Sequence, residues 1–333
     1  ALPILVASGL VGAFVNNLLL MLITPLKLRP SFDIAAMRRH SSYGFKITVN
    51  DFLGYLTRES KNLLLSKLAG ASFLGLFNKS ESLGRMPNDL VMPATMQPLF
   101  RAMGKIQDDL DQTRYLYYRS ITLLMVYTTP LYVGMWWTAE PFIAVVYGEK
   151  WLPVAEPMRI LVIAGLFFTV MFPSGVLLDA RNRLTQEMYV LVARLFVILA
   201  ACYIGLRWGL TGVAWGLVFS YFFGTTAVHI LVCRTLRTRA RDLLPAILPG
   251  LALNVMLFAL LALADTLLAA YRNTVPLAYL ALMALIGTVL YAAMFLFLPI
   301  PALRGEAERW RRQAARALRL PSSLLPHPKR TDQ

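Results

Sequence analysis

Residues 275–298 read VPLAYLALMALIGTVLYAAMFLFL, a stretch with no charged side chain. A helix needs about 20 apolar residues to cross a bilayer's hydrocarbon core, so this stretch reads as a transmembrane helix. Eight further stretches of the same kind precede it, at roughly 2–25, 44–65, 72–97, 116–138, 157–178, 186–206, 210–233 and 243–264. The chain is 57% hydrophobic and 15% charged, outside the range of ordinary soluble domains. It therefore reads as an all-α polytopic membrane protein with about nine transmembrane helices.

The charges follow every second gap. Lys27, Arg29, Arg38, Arg39 and Lys46 lie in the first, Arg101, Lys105, Arg114 and Arg119 precede the fourth span, Arg181 and Arg183 the sixth, and Arg234, Arg237, Arg239 and Arg241 the eighth. The opposite gaps hold only Lys67, Lys150, Arg159, Arg207 and Arg272. Loops on the cytoplasmic side retain Lys and Arg, so the richer gaps and the C-terminus are expected there. That rule also accounts for most of the net charge of +15, which removes the case for nucleic-acid binding. Ala1 opens the chain inside an apolar run, without Met or a basic leader, as expected of a fragment of a longer protein.

Leu303, Ala307, Trp310, Ala314 and Ala317 or Leu318 recur at helical spacing among arginines, a pattern that suits either a helix lying on the anionic leaflet or a solvated basic tail. Residues beyond Pro321 read as disordered. Cys202 and Cys233 fall in or at the end of apolar runs and read as small packing residues. His40, His229 and His327 are scattered, and the sequence offers no metal-ligand spacing, phosphate loop or nucleophile elbow, so neither a metal nor a cofactor is expected.

Two spans break the apolar rule. At 100° per residue, Asn50, Gly54, Thr57 and Lys61 share one line on the second span, and Asp51, Tyr55, Arg58 and Asn62 share the line beside it, opposite Phe52, Leu53, Leu56, Leu63 and Leu64. On the third, Asn78, Ser82, Arg85 and Asp89 align, with Glu81 and Asn88 close by. Lys79 is a further base there, and Arg194 has no acid within a turn of it. Charges at this depth are costly, so they normally face a bundle interior or an aqueous cavity. Arg58, Lys61, Lys79, Arg85 and Arg194, with Asn50, Tyr55, Asn62 and Asn78, suit a cavity for an anionic head group. Asp51, Glu81 and Asp89 suit Na⁺ or H⁺ coupling. The competing expectation is that Glu81, Arg85 and Asp89 pair at i, i+4 and only hold helices together. Pro87, Pro93, Pro98, Pro130 and Pro173 would kink their helices, as alternating access would use and static membrane helices also tolerate.

Several stretches, in this order, resemble the polysaccharide transporter family, the Wzx-type flippases of the superfamily that also holds the multidrug exporters of the MATE group. They are Tyr43-Gly44-Phe45 with Asn50 and Tyr55, Leu68-Ala69-Gly70-Ala71, Leu74-Gly75-Leu76-Phe77-Asn78-Lys79, Met86-Pro87, Pro98-Leu99-Phe100 with Gln107-Asp108-Asp109, Tyr147-Gly148-Glu149-Lys150-Trp151, Arg159-Ile160-Leu161, and Gly209 with Gly212-Val213-Ala214. The similarity runs from about Arg29 to Val232. It implies a MATE-like flippase architecture of two six-helix lobes. On that map residues 1–26 would be the last helix of an N-terminal lobe, 27–43 a cytoplasmic linker and 44–233 the C-terminal lobe. Residues 243–299 would be two extra helices and 300–333 a basic cytoplasmic tail. It further implies ion-driven flipping of an undecaprenyl-pyrophosphate-linked glycan across the bacterial inner membrane, with membrane lipids and other polysaccharide assembly proteins as partners. Many members of that family carry an Asp where this chain has Lys61 and a Gly where it has Ser66. Ion coupling through that position is therefore not carried over.

The runner-up function is a MATE-like drug or metabolite exporter, whose cavity should be rich in carboxylates and aromatics. A membrane glycan polymerase or ligase would need a large outward loop bearing Arg or His, and Thr138 to Glu156 is short with only Lys150.

Overall fold

The computed structural model describes residues 11–12, 14–19, 21–22, 34–106 and 108–317. The expected first span and the segment past residue 317 thus lie largely or wholly outside the described residues. The architecture is all-helical, with no strand among the described residues. The helices are α1 (Ile34–Lys105), α2 (Leu110–Tyr147), α3 (Ala155–Ala180), α4 (Leu184–Gly205), α5 (Gly209–Leu236), α6 (Leu244–Leu267), the short α7 (Ala269–Thr274), α8 (Pro276–Phe297) and α9 (Arg304–Ala317). Residues 1–45 form one compact unit and residues 46–333 another.

Within α1 the chain turns back on itself. Gly70 alone leaves helical geometry, at φ 89° and ψ 167°, a region that side chains with a Cβ avoid. Residues 61 and 81 would stand about 30 Å apart along a straight helix. Instead the Lys61 ammonium meets the Glu81 carboxylate and lies 5.3 Å from the centre of the Phe77 ring. Residues 46–69 and 71–105 are therefore two arms of a hairpin, matching the expected second and third spans.

Glycines set the closest approaches elsewhere. On α5, Gly212, Gly216, Ser220 and Gly224 recur every four residues, the small-xxx-small pattern that lets membrane helices touch backbone to backbone. A Cβ on Gly216 would stand 2.6 Å from the Ala201 carbonyl oxygen of α4, and one on Gly224 would stand 2.9 Å from Cδ of Arg194. Gly250 of α6 meets Met125 of α2 in the same way, and beside it Asn254 donates to Thr129 and to the Gly250 carbonyl, a polar clasp inside an apolar interface.

The prolines do not break the helices, since α1 runs through Pro87, Pro93 and Pro98, and α2 through Pro130 and Pro141. Pro130 cannot donate to the Val126 carbonyl one turn earlier. The Tyr291 hydroxyl of α8 takes that carbonyl instead, so the orphaned acceptor becomes an interhelical tie.

Two charged levels bracket α2. At one, Arg119 donates to Glu306 and to the Ala302 carbonyl, each at 2.9 Å. At the other, Glu140 accepts from Arg272 at 2.6 Å and from Arg159 at 3.5 Å, next to the packed rings of Trp136, Trp137 and Phe258. The two levels are 21 residues apart on one helix. At 1.5 Å per residue that is ~31 Å, the thickness of a hydrocarbon core. Interfacial tryptophans and ion pairs belong at its edges. The chain is a multi-pass membrane protein.

Four stretches meet a strict criterion of length and apolar composition, Glu149–Ala180, Leu184–Leu236, Ala240–Leu267 and Pro276–Phe297, the second of them containing both α4 and α5. Neither the α1 arms nor α2 is among them. The tail forms α9, with Leu303 and Ala307 buried and the Trp310 indole donating to the Tyr127 hydroxyl at 2.9 Å, so this helix packs against the bundle.

Candidate functional site

The second arm of α1, α3 and α5 enclose a void of about 10 Å³, room for no more than one water, inside the bundle. Glu81, Gly84, Arg85 and Asn88 contribute from α1, Gly165 and Phe168 from α3, and Tyr221 from α5. Glycine makes the geometry possible. A Cβ on Gly84 would sit 3.1 Å from Cβ of Leu161, and one on Gly165 would lie within the Tyr132 ring, 2.2 Å from Cζ.

Lys61 is 1% exposed and pairs with Glu81, so the one carboxylate lining the void is already engaged from behind. Arg85 approaches Asp89 at 3.8 Å and lies 6.0 Å from the Phe168 ring centre. Arg194 lays its stem across Gly224 and its guanidinium over the Tyr221 ring, 4.6 Å from the centre. Beside this space Nε of Arg85 and of Arg194 have no hydrogen-bond partner among the described residues, whereas the Asn88 amide and the Tyr132 hydroxyl face each other. Asn88 is 4% exposed and Tyr132 3%. Buried polar groups are almost always satisfied, so the two unfilled arginine nitrogens mark positions suited to an acceptor.

Lys61, Glu81, Arg85 and Arg194 thus converge, and the other sequence candidates do not join them. Arg58, Asp51 and Tyr55 are exposed on the first arm. Asn50 donates to Glu187 at 3.2 Å and to the Leu184 carbonyl at 3.4 Å, joining that arm to α4. Asn62 donates to Glu59 at 3.4 Å. Asn78 is half-buried, and Lys79 sits over the Tyr147 ring, 3.9 Å from its centre. Asp89 is largely exposed. Of the two expected i, i+4 pairs on the third span, Arg85 with Asp89 is present, whereas Glu81 bonds across the hairpin to Lys61. Cys202 and Cys233 are buried free thiols, as read from the sequence.

Sequence reasoning missed Tyr221, Tyr132 and Glu187. The first had a signal in the four-residue glycine spacing of α5, which brings its face against α4. The other two had none, because their partners lie 44 or more residues away.

The family described as polysaccharide biosynthesis protein matches residues 4–156. The lipopolysaccharide biosynthesis protein WzxC of Escherichia coli is 28% identical over 46% of this chain and 31% of its own length. The teichuronic acid biosynthesis protein TuaB of Bacillus subtilis is 25% identical over 47% of this chain and 33% of its own. The succinoglycan biosynthesis transport protein ExoT of Rhizobium meliloti is 24% identical over 44% and 30%. The chain thus spans about a third of the length of these relatives. No solved structure matches it. The family match includes the whole α1 hairpin, with Lys61, Glu81, Arg85 and Asn88, and ends before Arg194 and Tyr221. Together with the motif order in the sequence, these matches show similarity to polysaccharide biosynthesis proteins, concentrated in the first half of the chain.

Proposed function

We propose that this chain is the C-terminal part of a flippase that carries an undecaprenyl-pyrophosphate-linked oligosaccharide across the bacterial inner membrane by alternating access, with its C-terminus in the cytoplasm. The observation that carries the reading is the pair of buried guanidinium nitrogens without a hydrogen-bond partner, Nε of Arg85 and of Arg194, inside the helical bundle. A pyrophosphate or an acidic sugar is rich in acceptors and offers what those groups lack. On this reading Arg58 and Lys79, on the hairpin arms, and the amides of Asn62 and Asn78 take part further along the route. Lys61 acts through Glu81, holding its carboxylate away from the arriving anion. Asp51, Glu81 and Asp89 remain the candidates for H⁺ or Na⁺ coupling. The names of the relatives, polysaccharide biosynthesis proteins and one transport protein, support the class of cargo.

A strain lacking the gene should accumulate the lipid-linked repeat unit on the cytoplasmic face and lose the corresponding surface polysaccharide. Unchanged surface polysaccharide, with no accumulated intermediate, would count against the proposal.

A further inference from the structure

At the Arg119 level the first turns of α2, the α5–α6 connection and the residue leading into α9 enclose a cleft of about 960 Å³. Arg114, Arg119, Arg237 and Arg239 line it, and Asp242 is the one acid among its lining residues. Two of these arginines are committed. Arg119 bonds to Glu306 and the Ala302 carbonyl, and Arg114 to Asp111 and the Leu236 carbonyl. The guanidinium groups of Arg237 and Arg239 form no ion pair among the described residues.

Arg237 is also held in the left-handed region, at φ 55° and ψ 44°, at the C-terminal cap of α5. Glycine or asparagine is the usual occupant there, because a Cβ is disfavoured. A cation kept at such a position, beside a second uncommitted one, points to a ligand more than to packing. The Tyr118 hydroxyl donates to Thr238 at 3.1 Å and steadies the connection. The first turn of α6 adds the positive end of a helix to the same wall through Pro245 and Ala246.

Depth decides between a soluble anion and a lipid. Arg119 marks the boundary of the hydrocarbon layer, and Tyr115, 71% exposed, borders the cleft where interfacial aromatics sit among head groups. Basic pockets between helices at this depth suit lipid phosphates. We propose that this cleft binds the phosphate of an anionic membrane lipid through Arg237 and Arg239, with Arg119 beside it and Tyr115 against the glycerol end. It lies on the α2–α6 side, among residues other than those lining the void, and does not depend on the flippase reading.

The test uses the full chain in nanodiscs of phosphatidylcholine with or without phosphatidylglycerol, and reads bound lipid by native mass spectrometry. The wild-type chain should retain phosphatidylglycerol over phosphatidylcholine. The variant carrying Arg237→Asn and Arg239→Gln should bind it about 30-fold more weakly, with an unchanged unfolding midpoint in phosphatidylcholine alone. Equal retention of both lipids, or a variant that binds as the wild type does, would overturn the proposal. So would displacement of the lipid by millimolar inorganic phosphate, which would make this a site for free anions. Should the variant fail to fold, the wild-type chain still decides: retention must fall as salt rises, and salt-independent retention refutes the assignment.

Discussion

Lys61 and Glu81 bind each other across the α1 hairpin with almost no access to solvent. Removing one partner leaves the other as an uncompensated charge in a low-dielectric interior, which costs about 3–5 kcal/mol for buried pairs. Lys61→Met and Glu81→Met should each destabilise the chain by that amount, equivalent to roughly a hundredfold or more in the unfolding equilibrium. The joint replacement Lys61→Met with Glu81→Met should recover most of the loss, because apolar side chains of similar volume often replace a buried pair at little or no cost. The two single effects and the double are read from equilibrium unfolding in mixed micelles as a double-mutant cycle. Coupling of about 2 kcal/mol or more is expected. Effects that simply add would mean the hairpin does not close as described. Transport by the double variant then separates two roles: near wild-type flux makes the pair purely structural, while a stable and inactive variant makes it part of the route.

Gly70→Ala forces a Cβ into a backbone region available essentially to glycine and should cost about 1–3 kcal/mol by the same unfolding assay; a silent substitution would place the reversal elsewhere. Tyr291→Phe strands the carbonyl that Pro130 has freed and should destabilise the α2–α8 contact by about 1–2 kcal/mol, whereas Tyr291→Phe combined with Pro130→Ala should lose less, since the helix regains its own bond. Arg85→Gln should lower flux at limiting substrate by about tenfold or more while leaving the unfolding free energy within about 1 kcal/mol of wild type, and flux equal to wild type would remove Arg85 from the route.

The apolar helices were legible in the sequence because the membrane requirement is written in composition, span by span. The wet faces of the α1 arms were legible too, since 100° per residue needs only local order. The partners of the charges were not. Glu81 has Arg85 four residues away and takes Lys61 instead, a choice that exists only once the chain reverses at Gly70 and brings position 61 level with position 81. Arg194 has no acid within a turn of it, and its guanidinium lies over an aromatic face because Gly224 leaves room for its stem beside Tyr221. In both cases a glycine, rather than a charge, decided the pairing. The tail also read two ways, and it was the burial of Leu303 and Ala307 that drew α9 onto the bundle.

The paired charges on α2, at Arg119 and Glu140, also work as a ruler. Because each is tied to other helices, the helix cannot slide to suit a thicker or thinner bilayer without breaking ion pairs at one end. Mismatch must then be met by tilting the whole bundle or deforming the lipid around it, at fractions of a kcal/mol per ångström. In lipids with acyl chains of graded length, this chain should be most stable where the hydrocarbon layer is close to ~31 Å and less so on either side.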